Sequence, residues 1–488
     1  MTDTRAPAPS DATTTPRPGW ALFVLAVSQL MIVLDGTIVN VALPTAQRDL
    51  GFASDQRQWV VTAYALAFGA LLLLGGRLTD VLGRRRLFIV GLVGFALSSV
   101  IGGAAPNFGT LVAGRAAQGA FGALLAPAAL SLLAALFTAP KQRAKAFGVF
   151  GAVAGGGAAI GLVLGGLLTE YTSWRWTLFI NLFFAAAAVI GALLTIPAST
   201  SRAPRPSIDV PGAVLVSVGL AGLVYGLSSA ESTGWTSPIT ISSIAGGIVF
   251  LVAFVIVESR TRQPLLPLRV VLDRSRGGAF LTTGIVSLAL FSVFLFLTYY
   301  LQALRGYTPL LTGVAFLPLP ISIAVASIVI APRSLARFGP KVLLVTGPLL
   351  AAAALLILST ISLHSNYWFT IVPALVVLGL GMGHVFSASP NIATSNLDPG
   401  DLGVGSAMVN TTQQVGGAIG TALLSVIATT TVSRYLADHG TGATAQQLAQ
   451  LASYQTAYLA AVGIIVALSV TTSILIRNTG RAGATAKP

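Results

Sequence analysis

Apolar residues run through this chain in lipid-length blocks separated by short polar segments, without the alternation of a strand or the three-to-four spacing of a soluble amphipathic helix. Blocks near twenty residues fall at 20–44, 59–76, 86–105, 111–138, 146–168, 175–197, 210–229, 238–257, 278–301, 311–331, 341–361, 369–388, 411–430 and 455–476, which predicts fourteen transmembrane helices. Residues 1–19 are rich in Pro, Thr and Ala, contain both Asp and Arg, and lack the layout of a signal peptide. They read as a disordered tail before a retained first span.

Composition narrows the class. The 488 residues are 55% hydrophobic and 9% charged, with a mean hydropathy of +0.84, as in an all-α polytopic membrane protein. There is no Cys, so disulfides and thiolate metal sites are excluded, and His364, His384 and His439 are too far apart in sequence for a local ligand motif. No cofactor or metal is expected.

The net charge of +14 reads as topology. Alternate loops and the two ends place 22 of the 28 Lys and Arg residues on one side, five on the other (Arg48, Arg57, Arg175, Arg305, Arg434), and one, Arg115, inside a span. By the positive-inside bias the richer side is cytoplasmic, so both termini are expected inside, with some attraction to anionic lipid rather than to nucleic acid. One loop dissents: residues 389–410 carry Asp398 and Asp401 and no basic residue.

A repeat organises the spans. "GGRLTDVLGRRRLF" links spans two and three, and "APRSLARFGPKVLL" links spans ten and eleven; Arg77 and Arg333, Gly83 and Gly339, and Arg85 and Lys341 are each 256 positions apart. "GAAIG" at 157–161 is echoed by "GGAIG" at 416–420. The expected domains are therefore a tail (1–19), a first six-helix bundle (20–197), a linker region with two additional helices (198–277), a second six-helix bundle (278–476) and a C-terminal tail (477–488). Paired bundles suggest rocking about a central cavity.

Asp35 and Arg115 are the only Asp, Glu, Lys or Arg well inside the spans as drawn, and both fall in the outer half. Ionisable groups at such depth are candidates for a transport path. Asp35 can alternate between carboxylate and neutral acid, whereas Arg stays charged, so proton exchange falls to Asp35 and charge balance or gating to Arg115. The alternatives are a structural hydrogen bond for Asp35 and snorkelling for Arg115. Gln118, one turn from Arg115, shares its face. In "GRLTDVLGRRR", Gly76 and Gly83 permit close approach and a tight turn, and Asp80 is placed to meet backbone N–H groups or a helix N-terminus of the other bundle. With Arg84 and Arg85 this reads as an electrostatic latch, or else as a basic connector. Gly157, Gly161 and Gly165, followed by Gly166, form a flat strip for helix packing, with sealing or sliding between the bundles as its possible function. Tyr299, His384, Gln413 and Gln414 are softer candidates for lining a substrate cavity in the second half, together with Gln118 from the first.

On these motifs the chain resembles the fourteen-span drug:proton antiporter family of the major facilitator superfamily. "LDGTIVNVALP" (34–44) is similar to the family's first-span motif, "GRLTDVLGRRR" (76–86) to its loop motif, "RAAQG" (115–119) to its fourth-span motif, and "WRWTLFIN" (174–181) also matches the family. The resemblance implies a monomeric secondary transporter of the bacterial cytoplasmic membrane. Driven by the proton gradient, it would export drugs, antibiotics or lipophilic cations, with Asp35 as proton-coupling acid, Arg115 as the motif arginine and Asp80 with Arg84 as latch. Two departures stand out: Leu162 occupies the proline position of the fifth-span motif, so a kink need not survive, and Gln413 stands where the family often has Arg. Proton-coupled uptake would use nearly the same residues, and a membrane enzyme would need a catalytic cluster that the sequence does not display.

Overall fold

Each predicted apolar block contains a helix. The computed structural model describes residues 18–53, 56–197 and 209–476. The expected tails therefore lie outside the described residues, apart from Pro18 and Gly19, as do 198–208 of the linker with Arg202 and Arg205. The long helices are α1 (Pro18–Leu50), α2 (Arg57–Leu82), α3 (Arg84–Gly103), α4 (Phe108–Leu136), α5 (Pro140–Tyr171), α6 (Trp176–Thr195), α7 (Val210–Thr233), α8 (Pro238–Arg260), α9 (Arg274–Leu304), α10 (Leu310–Phe338), α11 (Pro340–Leu358), α12 (Tyr367–Ala393), α13 (Leu402–His439) and α14 (Ala443–Leu475). Thirteen of these are individually long and apolar enough to cross a membrane; α5 makes fourteen when its arms Pro140–Ala158 and Val163–Tyr171, which meet at 47°, count as one span. The bend is present although Leu162 replaces the family's proline, and the glycines around it are a sufficient cause.

The helix ends follow local chemistry more than hydropathy. Pro18 and Gly19, assigned to the tail on composition, already belong to α1, which also continues through Pro44 to Leu50. The Asn107 side chain caps α4 by accepting the Thr110 N–H at 2.9 Å, and Asp273 caps α9 by accepting the Arg276 N–H at 2.9 Å. Proline at 318 and a wide turn over Ala326–Ile330 interrupt α10.

The two six-helix halves repeat each other's packing. Gly83 between α2 and α3 has φ 95°, and Gly339 between α10 and α11 has φ 77°, a region in which a Cβ is strained. In the first half α5 lies on α1 so closely that a Cβ on Gly161 would sit 2.9 Å from the Leu34 carbonyl oxygen; in the second, α13 lies on α9 with a Cβ on Gly420 placed 2.6 Å from Leu288. Helices α7 and α8 pair with each other, and α7 packs on both α2 and α13, so the inserted hairpin spans the gap between the halves on that side. On the opposite side α5 meets α10 and α12. At the Arg-rich end a single apolar cluster joins Leu130 and Ala146 of the first half, Leu265 of the linker and Val404 and Ala407 of the second. A second cluster lies wholly within the second half.

Candidate transport site

Four helices of the first half converge on Asp35, which is fully buried. Arg115 Nη1 of α4 donates to Asp35 Oδ2 at 2.5 Å. Asp35 Oδ1 accepts from Gln118 Nε2 at 3.0 Å and from Asn181 Nδ2 of α6 at 2.7 Å. Both amides also donate to the Ser99 hydroxyl of α3, at 2.6 and 3.3 Å. Arg115 donates further to Gln118 Oε1 at 3.1 Å and to the Val60 carbonyl of α2 at 3.2 Å, and its guanidinium lies 4.3 Å from the centre of the Tyr64 ring. Arg115 is 1% exposed, so its side chain does not reach toward headgroups. The buried pair is thus compensated on both sides, as such a charge must be.

Asn181, Ser99 and Tyr64 are members that the sequence reading did not single out. A neutral amide or hydroxyl in an apolar helix carries no charge signal, although Asn181 ends the "WRWTLFIN" motif. The start of that motif is tied down as well: Trp174 Nε1 and Arg175 Nη2 both donate to Asp49 Oδ2, at 2.9 and 3.1 Å, joining α6 to the end of α1.

At the Arg-rich end the loop motif meets the other half. Asp80 accepts the Gly403 N–H at 3.0 and 3.1 Å and the Val404 N–H at 3.3 Å, at the first turn of α13. The approach depends on Gly76, since a Cβ there would lie 2.6 Å from the Gly403 carbonyl oxygen. Arg84 Nη2 donates to the Pro399 carbonyl oxygen. Arg85 turns instead to its own half and donates to the Leu193 carbonyl at 3.0 Å. Arg143 of α5 adds contacts to Asn391 Oδ1 at 2.6 Å and Thr394 Oγ1 at 2.7 Å. The acidic loop that lacked basic residues finds one in the linker, where Arg269 pairs with Asp401 at 2.6 Å.

The glycine strip faces a different partner from the expected one. Gly157, Gly161 and Gly165 pack on Val33, Leu34 and Ile38 of α1, within their own half. The seam between the halves is lined by Gly148, Gly151 and Gly155, opposite Ser327, Phe386 and Ile323, while Gly166 lies near Leu310. The physical reason is periodicity: the run of small residues in α5 wraps two faces, each carrying glycines at helical spacing, and the set 157, 161, 165 lies on the face turned to α1.

A cavity of about 540 Å³ lies between α2, α7, α9 and α13, lined by Val61, Thr62, Ala65, Trp235, Phe291, Gln414, Thr421 and Ser425 among others. Of the five expected cavity residues only Gln414 lines it; Gln118 belongs to the Asp35 network, and Gln413 is half-buried elsewhere on α13. Tyr299 is half exposed near the end of α9. His384 lies where α12 packs on α11, and its ring nitrogens have no hydrogen-bond partner among the described residues. The cavity and the Asp35 network share one wall: Val60 and Tyr64 of α2 face the network, and Val61, Thr62 and Ala65 face the cavity.

Comparison with known proteins agrees with this architecture. The Major Facilitator Superfamily model matches residues 25–421. A puromycin resistance protein of Streptomyces alboniger is 49% identical over 94% of this chain and 92% of its own length, and a cephamycin export protein of Amycolatopsis lactamdurans is 35% identical over 93% and 92%. The human organic anion transporter MFSD10 (TETRAN) shares the fold, with a TM-score of 0.65 at 16% identity, covering 95% of this chain and 100% of that one. Two repeated six-helix bundles, an inserted helical hairpin and relatives matched over nearly their whole length lead to one assignment: this chain belongs to the Major Facilitator Superfamily, among its bacterial drug-resistance and export transporters, and is a secondary transporter rather than an enzyme.

Proposed function

We propose that this protein is a proton-coupled antiporter that exports an antibiotic or a related lipophilic drug across the bacterial cytoplasmic membrane. Its Arg-rich end and both termini face the cytoplasm, and a single chain in lipid is the working unit. The observation that carries the reading is the position of α2, one helix that walls the Asp35 network, lines the cavity and ends in the Asp80 contact. A change at any one of these places is felt at the other two.

Protonation of Asp35 removes the charge that holds Arg115 Nη1. The Gln118 and Asn181 amides donate to the carboxylate, and either can turn its oxygen toward a neutral acid, because an amide offers both roles. Arg115 keeps the Val60 carbonyl and the Tyr64 face. The pull on α2 changes with it, and alternating access follows as the halves rock. Substrate leaves outward as Asp35 gains a proton, and inward release of that proton restores the carboxylate. A proton-motive force of about 150 mV supplies roughly 3.5 kcal/mol per proton. That supports roughly a 300-fold gradient of a neutral substrate at one proton each.

The cavity lining suits an amphipathic cargo: Trp235 and Phe291 offer flat apolar surface, and Gln414, Thr421 and Ser425 offer hydrogen bonds. Puromycin is the first compound to test, given the resistance relative at 49% identity. Purified protein in vesicles with an imposed pH gradient should concentrate puromycin against its gradient and move protons in the opposite sense. Drug flux that is indifferent to collapse of the pH gradient would remove the antiport reading. Tags at residues 2 and 487 should both be reached only from the cytoplasm, and labelling of either in intact cells would overturn the orientation.

A further inference from the structure

The inserted helices α7 and α8 hold a pair of acids that the transport cycle above does not use. Asp209 caps α7, with Oδ1 accepting the Gly212 N–H at 3.0 Å. Near the end of α8, Glu258 Oε1 and Oε2 accept the N–H groups of Leu265 and Leu266 at 3.1 and 3.2 Å. Asp209 is 8% exposed and Glu258 3%. A Cβ on Gly212 would lie 2.5 Å from Asp209 Oδ2 and 2.7 Å from Glu258 Oε1, so both oxygens border the same small space that the glycine leaves open. Asp209 Oδ2 has no hydrogen-bond partner among the described residues.

Two carboxylates in such a place repel, and burial deprives them of the water that would screen them. A proton taken up by the pair removes one of the two charges and supplies an O–H donor at the space that Asp209 Oδ2 borders without a partner. Among the described residues, the charged groups acting on Glu258 include Asp209 and, from α2, Arg77. Arg77 is 4% exposed, its Nε has no partner among the described residues, and its charge also acts on Asp80.

We propose that Asp209 and Glu258 form a second proton-binding site, separate from Asp35 and placed at the Arg-rich end, whose occupancy biases the Asp80 contact through Arg77. The proton enters from the solution at that end, is bonded to one carboxylate oxygen of the pair, and leaves the same way; only an O–H bond forms and breaks. With the proton bound the pair carries one negative charge, and Arg77 remains available to Asp80. Without it the pair carries two, and the added charge draws Arg77 toward α8 and weakens the Asp80 contact.

The test is infrared difference titration of the lipid-reconstituted protein, following the C=O band of protonated carboxyl groups. Wild type should show a band that titrates as one proton, persists in Asp35→Asn, and is lost both in Glu258→Gln and in Asp209→Ser, which keeps a capping oxygen but cannot titrate. If Glu258→Gln does not insert, Asp209→Ser carries the test. A band unchanged by both substitutions overturns the site. A band removed by sodium or potassium at constant pH also overturns it, since the pair would then hold a metal cation. Because the readout requires no substrate, it stands or falls independently of drug export.

Discussion

Replacing Asp80 with Asn tests whether the contact between the loop motif and α13 holds the Arg-rich end closed. The wild-type carboxylate accepts the Gly403 N–H with both oxygens and the Val404 N–H with one. Hydrogen bonds to a charged acceptor contribute about 1.5–3 kcal/mol each, and a negative charge at a helix N-terminus adds roughly 0.3–1 kcal/mol. Asn keeps one acceptor oxygen but sets an N–H donor against the backbone donors, so the closed state should lose about 2–3 kcal/mol. By the rule of 1.4 kcal/mol per tenfold, the ratio of closed to open should fall roughly 30- to 150-fold. The absence of Cys makes the measurement clean: spin labels on Lys141→Cys and Arg337→Cys, both exposed, report the separation of the halves at that end. In Asp80→Asn the long-distance population should grow and transport should slow at matched membrane abundance. An unchanged distance distribution would refute the latch and leave the loop as a basic connector.

Other substitutions separate structural from coupling roles. Asp35→Asn strands Arg115 as a buried cation, which costs about 3–5 kcal/mol; adding Arg115→Gln should recover the melting temperature without recovering proton-driven transport, and uphill export by the double variant would exclude Asp35 as the coupling acid. Gly161→Leu should push α1 off α5 and lower the melting temperature, by about 1–3 kcal/mol of stability or more, whereas Gly151→Ala, whose Cβ would meet the Phe386 carbonyl oxygen at 2.7 Å, should act on the inter-half distance and the transport rate with little loss of bundle stability. Gln414→Ala and Trp235→Ala should raise the KM for the transported drug severalfold; equal effects on unrelated solutes would mean the cavity is not the binding site.

Much of this was legible because lipid imposes a simple rule on the chain: a backbone that crosses it must be helical, and a charge inside it must have a purpose. That rule located the fourteen blocks and picked out Asp35 and Arg115. It is silent on neutral partners, so Ser99, Tyr64 and Asn181 became visible only when four helices were brought together. It also misses acids at the margin of a span: Glu258 lies one residue beyond the block drawn at 238–257, yet it is among the most buried carboxylates of the chain. Helix ends escape it for a related reason, as α13 extends past both ends of its apolar block through Gly, Ser and Thr that a helix tolerates and a hydropathy window does not register. The glycine strip was seen but its partner was not, because spacing gives a face without saying what covers it.

The inserted hairpin has a bearing on how cargo arrives. With α7 laid against α2 and α13, a drug dissolved in the bilayer meets a protein wall on that flank, and on the opposite flank it meets the glycine-packed seam of α5 with α10 and α12. Entry from lipid along these two lines would have to part packed helices, so partitioning into lipid does not by itself enrich a compound at the cavity. Clearance should follow the free aqueous concentration in the cytoplasm, and two drugs of equal fit but very different lipid solubility should be pumped at rates set by what remains in water.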